Sequence, residues 1–147
     1  MGHGCESVVS LLQGGHSTAA PTRHCDYLDF EGAAIGGSPI SGGYAGAKRM
    51  QMFLANYAQK ESDRLGLDLR FLAVTPLRPM VDTEGGRAAV MSYTKYLGIS
   101  PEEFIRGLKA PQTAQDVADA VLNFVATPPE RGNNVFVVSG EGVEALK

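Results

Sequence analysis

The chain of 147 residues has no tryptophan, two cysteines and three histidines, and only 7% of it is aromatic. Each shortage excludes something. Cys5 and Cys25 do not make a disulfide framework; they could pair, but nothing else points to an oxidising compartment, and they read as free thiols. With His3, His16 and His24 they match no zinc-ligand spacing, so no metal is expected. No segment approaches the roughly 20 apolar residues of a membrane span. The run Val8-Val9-Ser10-Leu11-Leu12 is too short for a signal-peptide core and has no basic flank. Met1-Gly2 opens like a myristoylation acceptor, but Glu6 stands where Ser or Thr is needed. Basic charge is not in excess either: a net charge of -3 argues against nucleic acid as a partner. The expectation is a soluble, cytoplasmic protein with neither membrane nor nucleic acid to bind.

What is present is ordinary for a globular chain, at 44% hydrophobic and 20% charged residues. The length suffices for one domain with a real core. Residues 1–31 form an unassigned N-terminal segment without clean helical or strand periodicity. Val8–Leu12 is a helical turn or a short strand, and Tyr27–Phe30 a strand end; both readings stay open. From Gly32 to Gly43 the chain is a Gly/Ser/Pro-rich loop. A helix follows from about Gly43 to Arg64. Met50, Phe53, Leu54, Tyr57 and Ala58 recur on it at three- and four-residue spacing, and Gly66 closes it.

Asp68–Val74 reads as a strand buried on both faces that stops at Thr75-Pro76. Leu77–Gly86 is a loop, and Arg87–Leu97 a helix. Ser100-Pro101-Glu102-Glu103 has the residues of a full capping box. Thr113–Asp116 repeats that device less strictly, before a helix with Val117, Ala118, Val121, Leu122 and Val125 as its apolar face. Pro128-Pro129 ends that helix, and Val135–Val138 is the last strand. This order fits the second half of a doubly wound α/β domain.

The chemistry-bearing pattern is Tyr44-Ala45-Gly46-Ala47-Lys48, at the head of the long helix. Positions i and i+4 lie one above the other on a helix. A nearby ammonium favours phenolate and lowers a tyrosine pKa from its usual value of about 10. No other tyrosine in the chain has a lysine four residues on.

From Gly32 to its end the chain resembles the C-terminal half of a short-chain dehydrogenase/reductase. Tyr44–Lys48 is similar to the family's Y-x-x-[SAG]-K block, Leu69–Pro76 to its sixth strand, Pro111–Val125 to its penultimate helical segment and Val135–Gly140 to its closing strand. The resemblance implies a partial Rossmann-like, doubly wound α/β sheet, truncated at the N-terminal side, with residues 32–147 as the half-domain. It implies hydride transfer between NAD or NADP and a small-molecule ketone or secondary alcohol. Tyr44 would be the general acid/base. Lys48 would tune it and hold the nicotinamide ribose, with Pro76 and the loop to Thr83 lying against the nicotinamide.

The chain also departs from that pattern. The 43 residues before Tyr44 contain no glycine-rich turn to take a pyrophosphate at a helix N-terminus. The family's carbonyl-polarising serine falls at Glu31, whose carboxylate would repel an alkoxide. Ser38 and Ser41 lie closer; turn and cap chemistry is their ordinary work, and Ser38 is the candidate substitute. A G-x-G-x-x-A string at Gly140–Ala145 has no helix to follow it and is set aside. The expectation is therefore a catalytically impaired oxidoreductase. The alternative is a non-enzymatic remnant or association module that keeps the dimer-forming helix. On that helix the apolar set is core on one reading; on the other, by resemblance, it is the homo-oligomer contact of Tyr44–Arg64.

Overall fold

A computed structural model describes residues 25–29, as backbone, and residues 33–146. Their fold is a small mixed α/β unit. Four strands, β1 (Cys25–Asp29), β2 (Arg70–Pro76), β3 (Val135–Ser139) and β4 (Gly142–Ala145), lie side by side in that order. The first three run parallel and β4 returns antiparallel to β3. Between β1 and β2 come α1 (Ala33–Gly36) and α2 (Gly42–Arg64). Between β2 and β3 come α3 (Glu84–Leu97), α4 (Pro101–Gly107) and α5 (Ala114–Ala126).

Successive side chains of a strand point to opposite faces, and β2 divides the core accordingly. Ala73 packs with Ala34, Met52, Ala55 and Val135 under α1 and α2. Val74 packs with Val117, Ala120 and Val138 under α5. Leu72, Ala73, Val74 and Thr75 are almost wholly excluded from solvent, the burial expected of a central parallel strand. With β1, β2 and β3 laid out in one direction and the two crossovers on opposite faces, the two connections must have opposite hands. One of them is the rare left-handed kind.

α2 ends where Gly66 turns left-handed, at φ +67. Leu67 N–H donates to the Ser62 carbonyl and Gly66 N–H to that of Asp63, a Schellman closure that leaves few carbonyls unpaired. At its other end Ser41 makes no side-chain cap; its hydroxyl turns back to the Ser38 carbonyl instead. The two expected capping boxes exchange strength. Ser100 accepts from the Glu103 N–H, but the complete reciprocal box is at Thr113 and Asp116.

Several boundaries move from the sequence expectation. The second strand runs from Arg70 to Pro76 rather than stopping at Val74, because the ladder continues past the proline through Leu77 N–H to the Val138 carbonyl. The following loop ends at Thr83, with Gly85 and Gly86 already helical. Gly86 has no room for a side chain, since a methyl there would run into the Met80 carbonyl. The segment Ala33–Gly36, expected as loop, is a short helix. Gly142–Ala145, set aside as a stray glycine motif, is the hairpin strand β4.

Both main helices turn differently from their apolar patterns. α5 faces inward with Val117, Ala120, Val121 and Phe124, while Leu122 and Val125 are exposed. Phe124 sets this rotation, its ring 4.5 Å from that of Phe136. α2 buries Ala45, Met52, Ala55, Gln59 and Ser62. Its Met50, Phe53, Leu54 and Tyr57 point away from the sheet and are exposed, so the core reading of that stripe is overturned. Small residues let the helix backbone approach β2 closely, and the large ones would have prevented it. Val8–Leu12, Glu31 and the three histidines lie outside the described residues.

Candidate functional site

Which end of the sheet Tyr44 and Lys48 occupy follows from how α2 is tied down. Near its tail, Gln59 Oε1 accepts from the Phe71 N–H at 2.9 Å and Gln59 Nε2 donates to the Leu69 carbonyl. Ser62 Oγ donates to the carbonyls of Leu67 and Leu69. The tail of α2 thus sits over the start of β2, and the two run antiparallel. From Gln59 back to Tyr44 is about 22 Å of helix, and from Phe71 forward to Pro76 about 17 Å of strand. Tyr44, Lys48 and Pro76 therefore reach the same, carboxyl end of the sheet. Open α/β sheets take their ligands at that end.

Lys48 Nζ lies over the Tyr44 ring, 5.7 Å from its centroid, a cation–π arrangement. Tyr44 is 43% exposed and Lys48 half-buried. The Tyr44 side chain is partly open to solvent, and helical spacing brings the cation beside it. Pro76 is fully buried, beside Val138 of β3. Thr83 is the N-cap of α3: its hydroxyl accepts from the Gly86 N–H and donates to the Met80 carbonyl. Its one proton is therefore already committed within the protein. Thr75, on the α2 side of β2, is completely buried with an unpartnered hydroxyl.

A second group at the same end was not singled out by the sequence. A cleft of about 280 Å³ opens between the Gly37–Pro39 turn, the Leu77–Pro79 loop, α3 and α4. Ser38 Oγ is 2.5 Å from Ser41 Oγ and 2.5 Å from Tyr93 Oη. The Tyr93 ring stacks on Phe104, centroids 5.7 Å apart and nearly parallel, which fixes the phenol's direction. Ser38 was legible as a candidate, but Tyr93 was not, because 55 residues separate the two and no local spacing links them.

The loop wall of the cleft is held by Gln112, which is buried. Its Oε1 accepts from the Arg78 N–H, and its Nε2 donates to the Arg78 carbonyl. One side chain thereby pairs both backbone groups of a loop residue, as a neighbouring strand would.

Among the described residues no three His, Cys, Asp or Glu side chains converge on a metal-sized site, and no helix is long and apolar enough to cross a membrane. No family model, no curated protein and no solved structure matches this chain.

Proposed function

We propose that the chain is an oxidoreductase of the short-chain dehydrogenase/reductase type, specific for a small ketone or secondary alcohol with NAD or NADP, in a catalytically impaired form. The observation that carries this is the Tyr44–Lys48 pair, one turn apart with the ammonium over the ring, at the end of the sheet where α/β folds bind ligands. In this reading Tyr44 exchanges a proton with the substrate oxygen. Lys48 favours the phenolate by its charge. The sheet then belongs to a Rossmann-like, doubly wound fold, and Pro76 and Thr83 flank the nicotinamide.

The described residues supply only part of a dinucleotide site. Lys48 offers a cation at the right end, but Thr83 has no proton left to donate and Pro76 is fully buried. These residues do not make a cradle for the dinucleotide, and no step is routed through it. Glu31 in place of a serine adds a repulsive charge on the family pattern. The proton-transfer pair is kept and its supports are not, which is the sense of impaired. Fluorescence titration of the chain with NADH and with NADPH tests this. With so incomplete a site, only weak binding, saturating near millimolar concentration and weakened further by Lys48→Met, is expected; no saturable binding of either at millimolar concentrations sinks the enzyme reading.

A second reading rests on a separate observation, the outer face of α2. Met50, Phe53 and Tyr57 are 56%, 61% and 49% exposed, and the rings of Phe53 and Tyr57 stack at 6.4 Å. A contiguous apolar stripe of this kind on a surface helix is the mark of a protein contact. A twofold pairing of this helix with its copy would bury the stripe on both sides at once. On this reading the chain is an association module, and sedimentation equilibrium would show a dimer that Phe53→Glu dissociates. A strict monomer at high concentration would refute it.

A further inference from the structure

The methionines among the described residues, Met50, Met52, Met80 and Met91, differ in what reaches their sulfur. Met52 is only 3% exposed, and its sulfur lies 4.0 Å from Arg49 Nη1. Met80 is half-buried against the Val74 and Val117 cluster. Met50 and Met91 are 56% and 59% exposed, so these two thioethers are open to a dissolved oxidant. Their settings are unlike. Met91 lies on α3 and lines an open groove with Lys95 and Ile99. Met50 stands at one end of the apolar stripe of α2, one turn before Phe53 and Leu54 and two before Tyr57.

We propose that Met50 makes the self-contact of α2 redox-sensitive, its sulfoxide favouring the separate chains. The proposal rests on the association reading and adds a control to it. The acids of α2, Glu61 and Asp63, both lie at its tail with Lys60 and Arg64, while Lys48 and Arg49 stand at its head with no acid. A second copy laid antiparallel keeps the two uncompensated basic heads apart. The twofold axis then passes near the middle of the stripe, between Phe53 and Leu54, and sets Met50 against Tyr57 of the second copy, a sulfur–aromatic pairing. A stripe of a few hundred Å² is well below the roughly 800 Å² that each partner gives to a standard interface. The contact is therefore weak, and one polar atom decides it. The oxidant is a hydroperoxide: its O–O bond breaks, one oxygen bonds to sulfur, the thioether loses two electrons, and the peroxide leaves with its proton as water or an alcohol. The S=O group must shed water to enter the contact. The dimer covers the thioether, so the peroxide attacks the free chain and withdraws it from the equilibrium.

The test treats the full chain with hydrogen peroxide, restores its cysteines with a thiol, and follows assembly by sedimentation equilibrium and sulfoxides by peptide mass spectrometry. Oxidation is expected to raise the dimer dissociation constant about a hundredfold, about tenfold for each of the two sulfoxides in the contact. Met50 should oxidise faster in dilute than in concentrated chain, and Met91 at one rate in both. Met50→Leu should dimerise and ignore peroxide, whereas Met91→Leu should dimerise and stay sensitive. Should Met50→Leu not associate, enzymatic reduction of the oxidised chain decides: return of the dimer supports the proposal and its failure to return overturns it. A dimer that persists with Met50 fully oxidised overturns the proposal and leaves the association reading standing. So does a dimer tightened by oxidation, through a hydrogen bond from Tyr57 to the new oxygen. A strict monomer before any peroxide is added defeats the association reading itself, and the proposal with it.

Discussion

The two long helices that cover the sheet do so by different means. α5 covers β2 and β3 with bulk: Val117, Ala120, Val121 and Phe124 meet Val74, Val138 and Phe136. α2 covers the other face with little bulk. It lays Ala55 and Met52 on Ala73 and secures its tail through Gln59 and Ser62, which bond the backbone of Leu69 and Phe71. One helix is held mainly by apolar area, the other by close approach and polar clamping. The second mode leaves the large apolar side chains of α2 available for another use.

The strongest way to break the comparison is on the α5 side. Phe136→Ala should cost about 3–4 kcal/mol of stability, the usual range for a buried phenylalanine, read as a lowered urea midpoint. Next comes Gln59→Ala on the α2 side, expected to cost about 2 kcal/mol because the Phe71 N–H is left buried without its acceptor. Ala55→Leu should cost a similar or slightly smaller amount, about 1–2 kcal/mol, by forcing helix and strand apart. If Ala55→Leu were neutral, the close-approach account of α2 would be wrong.

Phe53→Ser should change monomer stability by no more than about 0.5 kcal/mol while abolishing any self-association. That split between stability and assembly separates an outer face from a core face. The smallest effect concerns pH. Hydrogen bonds from the backbone and then the side chain of Thr113 hold the Asp116 carboxyl below its usual pKa. A depressed folded-state pKa gives stability that is present above the unfolded value and is lost as pH falls through the folded one. Fraying of α5 in mild acid, followed by circular dichroism, should therefore disappear in Asp116→Asn, which carries no titrating group.

Much of the framework was legible because its signals are local. The span of α2, the glycine at 66, the caps at Ser100 and Thr113 and the strand at Val135 all follow from residues within a turn of each other. The orientation of α2 was not, because an apolar stripe looks the same whether it faces a core or a partner. The inward face combines alanine, serine and glutamine, and only the tertiary contact shows why small and polar residues belong there. β4 was missed for a related reason: its glycines mimic a nucleotide motif, and a hairpin strand of four residues gives too short an alternation to read. At the candidate site, Tyr44 and Lys48 were visible as a helical pair. Tyr93 and Gln112 were invisible, since each acts on a residue 34 or more positions away.

Gln112 has one further consequence, and it concerns entropy. The Leu77–Pro79 wall of the cleft is part of a loop, the kind of segment that ordinarily loses freedom when a ligand arrives. Here Leu77 is already paired to Val138, and both backbone groups of Arg78 are paired to Gln112. Two prolines, Pro76 and Pro79, restrict the torsions on either side. The ordering of that wall is complete once the chain has folded, so binding need not immobilise it.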